Sequence, residues 1–204
     1  MPRAVASAFI IFALAGVVIS ALNLVDISRV STIRDASETD VVALAARLEH
    51  KHELPPSIEV EIAEKLGAQS AENASLAATY LRRALAKNEN KPFAWAYLAY
   101  LESRIDGELN EASATALKRS IELCPLCDPE LLKWRLEFVL FHWDAAEEGL
   151  RVAAFEGADV LRWWYLEYDY LDDVRDRSEQ AGIPFSLYQR KVGSNVRPNE
   201  IPSE

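Results

Sequence analysis

Leu81-Arg82-Arg83-Ala84-Leu85 is echoed thirty-six residues later by Leu117-Lys118-Arg119-Ser120-Ile121, and this internal period limits the possible folds more than any other feature of the chain. Around each copy the same size pattern recurs: Ala77, Leu81, Ala84 and then Ser113, Leu117, Ser120. A small residue, a large one four on and a small one three further on share one face of an α-helix. The small positions admit a second helix closely and the large one fills the gap, so such a helix needs a neighbour to bury the face. Helical spacing continues elsewhere, in Val41, Leu44, Ala45, Leu48 and in Ile58, Ile62, Leu66. Pro55-Pro56, Asp106-Gly107 and Pro129 punctuate the pattern, and Asn73 reads as a helix cap. Helices are predicted from Ser37, from Ser57, from Asn73 to Lys87, from Pro92 to Asp106, from Asn110 to Leu123, from Pro129 to Phe141 and from Asp144 to Phe155, with a broken stretch from Val160 to Gln180. No segment alternates apolar and polar for long, so the class is all-α.

These positions resemble the tetratricopeptide-repeat (TPR) family. Trp95, Leu98 and Ala99 match its first-helix slots, and Ser113, Leu117, Ser120 and Pro125 match its second-helix slots. The chain departs from the family pattern in three ways. Its period is two residues longer than the usual length of about 34, Ser stands twice for Ala, and Glu102 stands where an aromatic is common. The resemblance implies a short solenoid of antiparallel helical hairpins, a fold that chiefly binds proteins or scaffolds complexes.

Ahead of this domain, residues 4–25 carry no charge and include Phe9, Ile10, Ile11, Phe12, Leu14, Val17, Val18 and Ile19. As a helix the segment reaches about 33 Å, enough to cross a hydrocarbon core of about 30 Å. We expect a retained transmembrane anchor over residues 1–25, a linker over 26–36, the TPR-like domain over 37–182 and an extended tail over 183–204. Cleavage after Ile19-Ser20-Ala21 as a signal peptide is the rival reading. Arg3 faces Arg29 and Arg34 across the span, a near-even balance under the positive-inside rule. The expected orientation leaves a short N-terminal tail inside and puts the domain outside, as for an uncleaved signal-anchor. Gly16 with Ser20 and Ala4 with Ala8 have the spacing of close helix contacts, which leaves a homodimer open.

With 22 basic against 32 acidic side chains, the chain's net charge of −10 would repel phosphate backbones, and nucleic acid is not an expected partner. Cys124 and Cys127 are the only cysteines. Their spacing suits inert loop thiols, a structural disulfide, or a redox or zinc half-site. Zinc lacks two further ligands, because His50, His52 and His142 show no ligand-like spacing with the pair. His50 and His52 read as exposed, and His142 as a packing residue. The carboxylates Glu167, Asp169, Asp172, Asp173 and Asp176 interleave with Arg175 and Arg177 and read as a solvated helix. No cofactor, metal or catalytic motif is expected.

Trp134, Phe138 and Phe141 share a helical face and are expected in the core. The adjacent Trp163 and Trp164 are expected to pack as well, with one of them free to line a partner groove. The layout also resembles the single-span, TPR-like accessory proteins encoded with bacterial exopolysaccharide biosynthesis genes, in which a helix ending in Pro precedes an aromatic helix like Trp134-Arg135-Leu136. That resemblance implies a membrane-tethered protein-interaction scaffold of the cell envelope with protein partners at the membrane, accessory to polysaccharide synthesis or export. A thiol-disulfide envelope protein and a cytosol-facing TPR receptor are the alternatives.

Overall fold

A computed structural model of the chain describes residues 28, 30–48, 54–69 and 73–193, all helices and turns with no strand among them. The anchor expected over residues 4–25 lies outside these residues, as do His50, His52 and residues 194–204 of the tail. Among the described residues no helix is long and apolar enough to cross a membrane. The chain divides into two compact units, one ending at Asn88 and the other beginning at Glu89.

The first unit holds α1 (Glu38–Leu48), α2 (Pro56–Gln69) and α3 (Ala74–Lys87). Residues 30–35, placed in the linker by sequence, are helical too, and Ile33 is buried. Ser37 begins α1 as expected, its Oγ accepting from the Asp40 N–H and donating to the Asp40 carboxylate. Asn73 sits at the N-cap of α3 in helical conformation and makes no side-chain cap bond, unlike the capping role its position suggests. Ala77, Ala78 and Ala84 give α3 a small-residue face along which α2 packs, and Leu81 is fully buried beside them. Tyr80 donates its hydroxyl to the Ala45 carbonyl at 2.6 Å, tying α3 to α1. Glu59 is 0% exposed; Arg83 and Lys87, both 2.9 Å away, neutralise its carboxylate. A buried carboxylate with two cationic partners is tolerable where a lone one is not.

The second unit contains α4 (Pro92–Asp106), α5 (Glu111–Leu123), α6 (Pro129–Phe141), α7 (Glu148–Trp163), α8 (Tyr168–Gln180) and α9 (Phe185–Val192). Local chemistry sets the ends. Pro92 and Pro129 occupy the first turn of α4 and α6, where the missing N–H is harmless. The Asn110 and Asp128 side chains accept from the Ser113 and Leu131 backbone N–H groups at 2.7 and 3.0 Å, and Gly107 closes α4 at φ +78°.

The α4–α5 and α6–α7 pairs pack as consecutive hairpins. Gly157 faces Leu132, each nine residues from the turn that joins α6 to α7, which sets their antiparallel register. Two expectations fail here. The tail after Gly182 is not extended: Phe185, Tyr188 and Val192 form a helical stripe buried against α7, so α9 completes the core. Phe141 is not a core residue. As the last residue of α6 it is 83% exposed, because the chain turns off the helix at His142 before its side chain meets a neighbouring element.

Candidate partner-binding surface

The helical stretch expected from Val160 onward breaks at 164–167, and the break displays aromatic side chains. Trp164 is 68% and Leu166 64% exposed, and Trp163, Tyr165 and Tyr168 flank them, also exposed. The expectation of core packing for the Trp163–Trp164 pair is therefore corrected, since α7 ends at Trp163 and both side chains are exposed at the break. The turn itself is well braced. Trp164 and Tyr165 donate their backbone N–H groups to the Val160 carbonyl at 2.9 and 3.4 Å, and Glu167 donates to Leu161 at 3.0 Å. The Trp163 indole donates to the Asp159 carboxylate at 3.1 Å, and the Arg162 guanidinium lies over the Trp163 and Tyr168 rings at 5.6 and 6.0 Å.

Leu166 sits at φ +59°, the left-handed region that a branched L-residue adopts only at a cost of about 1–2 kcal/mol. A glycine would satisfy the turn without that cost, so the leucine side chain is retained on the surface against local preference.

Lys133 of α6 fixes the turn from below. Its ammonium lies 2.8 Å from Glu167 and 3.0 Å from Glu130, and both carboxylates, Glu167 first, raise its pKa. It also stands over the Tyr170 ring, whose hydroxyl donates to the Lys133 carbonyl at 3.2 Å. Burial, with Glu137 adding to it, raises the Tyr170 phenol above its ordinary value. The antiparallel register puts the α5–α6 loop, with exposed Leu126, at this same end of the hairpin.

That loop contains Cys124-Pro125-Leu126-Cys127. The two cysteines are joined as a disulfide, Cα atoms 5.5 Å apart, with Cys124 buried and Cys127 and Pro125 exposed. A separation of this size is ordinary for a bridged pair. Cys124 is the C-cap of α5. The negative end of a helix dipole disfavours a thiolate there, the opposite of what a nucleophilic thiol needs.

Arg135 organises the loop, and the sequence reading missed it. Only 3% exposed on α6, it donates to the Cys124 carbonyl at 2.7 Å, to the Ser120 Oγ at 2.8 Å and to the Ser120 carbonyl. Burial lowers its pKa to about 10, and no carboxylate forms an ion pair with it among the described residues. It acts as a buried cationic cap on the C-terminus of α5. The signal was Arg135 lying midway between Leu131 and Val139 in an apolar stripe of α6.

The residues of the internal period are packed. Ala77, Leu81, Ala84, Leu98, Ala99, Ser113, Leu117 and Ser120 are buried, while Trp95 is half-buried and donates its indole N–H to the Glu89 carbonyl at 2.8 Å. Ser120 differs from the alanine it replaces by a bond: its Oγ donates to the Pro92 carbonyl at 2.7 Å, linking the far ends of α4 and α5. His142 packs between Phe138 and Phe141, with ring centroids 4.7 and 4.9 Å away, and burial lowers its pKa. No group of His, Cys, Asp and Glu able to hold a metal occurs among the described residues. Comparison with known proteins returns no match to a family model, to a curated protein or to a solved structure.

Proposed function

We propose that the chain is a membrane-tethered protein-interaction scaffold of the bacterial cell envelope, accessory to polysaccharide synthesis or export, and that its partner docks on the turn from Trp163 to Tyr168. The observation that carries the docking site is the set of large side chains held out on a hydrogen-bonded turn, with one of them kept in a strained backbone conformation. Concentrated, exposed apolar surface on an ordered scaffold marks an interaction site, and tryptophan is the residue type most enriched among binding hot spots. The uncharged segment over 4–25 supports the tether, and the packed small-against-large period supports the TPR-like reading.

Burying the exposed part of Trp164, roughly 150 Å², would contribute at most about 4 kcal/mol. A photo-crosslinking residue at 164 in the full-length protein, activated in membranes of the producing bacterium, is expected to yield a discrete protein adduct. The same residue at Glu122, exposed on α5, is expected to yield none. Equal labelling from both positions would remove the docking site. Removing residues 4–25 is expected to release the protein from the membrane fraction, and persistence there would remove the tether.

A further inference from the structure

The opposite end of the second unit carries a separate feature. The turns after α4, α6 and α8 converge around an open cleft of about 550 Å³, whose walls include Gly107, Glu108, Phe141, Trp143, Asp144 and Ile183. Two properties of this cleft agree in sign; helix dipoles add nothing, because each of its three turns joins the C-terminus of one helix to the N-terminus of the next. Glu108 and Asp144 are exposed and have no cationic partner among the described residues. No lysine or arginine lines the cleft, and its one imidazole, His142, is held below its ordinary pKa by burial and so stays neutral at neutral pH.

The rest of the wall is apolar and aromatic. Phe141, 83% exposed, stands at the rim with its ring available. One face of Trp143 is already taken by the Arg151 guanidinium, 4.6 Å from the ring centre, with Glu148 3.9 Å from that guanidinium. Arg151 thus shows, within the molecule, the pairing that the Phe141 ring lacks.

We infer that this cleft takes an arginine or lysine side chain from an apolar segment of a partner protein, the cation lying between the Phe141 ring and the carboxylates of Glu108 and Asp144. Negative potential from two unpaired carboxylates, with no lysine or arginine among the lining residues, selects for the cation. The exposed ring adds a cation–π contact, and the apolar wall accepts the aliphatic stem. The inference rests on reading the domain as a protein-interaction module, but it concerns a different surface from the aromatic turn.

The test uses the full-length protein in nonionic micelles, labelled with 5-fluorotryptophan so that the Trp143 resonance reports on the cleft wall. The probes are acetyl-Leu-Arg-Leu-amide and its neutral counterpart with citrulline in place of arginine. The arginine peptide is expected to shift the Trp143 resonance with a millimolar dissociation constant and the citrulline peptide to bind at least five-fold more weakly. Phe141→Ala, and Glu108→Gln combined with Asp144→Asn, should each weaken binding at least three-fold. These side chains are exposed, so folding is not at stake. Trp164→Ala should change nothing. Equal binding of the two peptides, insensitivity to the cleft substitutions, or loss of binding on Trp164→Ala would overturn the inference. A missing adduct from position 164 would defeat the docking turn and leave this titration unaffected.

Discussion

Replacing Arg135 with leucine should destabilise the second unit by about 2–4 kcal/mol, and the size follows from two opposing effects. Burial lowers the guanidinium pKa to about 10, which corresponds to a desolvation cost of roughly 3 kcal/mol. Against it stand three hydrogen bonds from a charged donor, each contributing about 1.5–2 kcal/mol, or about 5 together. The difference favours arginine by about 2 kcal/mol. Leucine relieves the desolvation but strands the Cys124 carbonyl, which has no other donor among the described residues, adding about 1–2 kcal/mol. Lysine can reach only one of the acceptors and should fall between the two. All five tryptophans of the chain lie in the second unit, so guanidinium unfolding followed by tryptophan emission reports that unit alone. A leucine variant as stable as the parent would refute the argument, because desolvation would then equal or exceed the value of the cap.

Other perturbations probe other parts of the fold. Glu59→Gln should destabilise the first unit by roughly 2–3 kcal/mol, less than a fully buried pair because Arg83 and Lys87 can reach water. The loss should appear in far-ultraviolet circular dichroism and not in tryptophan emission. Gly107→Ala meets no atom but forces a left-handed backbone, so about 1–2 kcal/mol should be lost in the same emission assay. Gly157→Val should cost about 1–3 kcal/mol, since even a Cβ there would lie 3.1 Å from Leu132 Cδ2. For His142 the folded pKa lies below 6.5, so the unfolded chain binds the extra proton first. Stability should hold above pH 6.5 and fall as pH drops from there towards the folded pKa, and His142→Phe should flatten that part of the curve.

Much of the helical skeleton was legible because its signals are local. Pro92, Pro129, Asn110 and Asp128 set helix starts by chain geometry and cap chemistry alone, and the period through Leu81 and Leu117 marks positions that are fully buried. The misreadings depend on what lies across from a residue. Phe185, Tyr188 and Val192 follow helical spacing, yet Pro184 and Gly193 around them suggested a tail; only the α7 surface shows why the helix forms. Phe141 continues the face of Trp134 and Phe138 by sequence, but its neighbours end one residue too soon. Arg135 reads as solvent-facing by residue type, and its acceptors are carbonyls, which side-chain patterns do not reveal. Trp163 and Trp164 were legible as part of a concentration of aromatic residues, but that they lie exposed at a helix end, not packed in the core, was not.

Leu166→Gly separates a docking role for the turn from a structural one. Relief of the left-handed leucine should leave the second unit as stable as before or about 0.5–1 kcal/mol more so, because the lost side chain is mostly exposed. The same change should reduce the photo-adduct formed from position 164 in intact membranes by at least five-fold. An undiminished adduct, or a marked fall in unfolding midpoint, would contradict the claim that this turn is shaped to hold a partner.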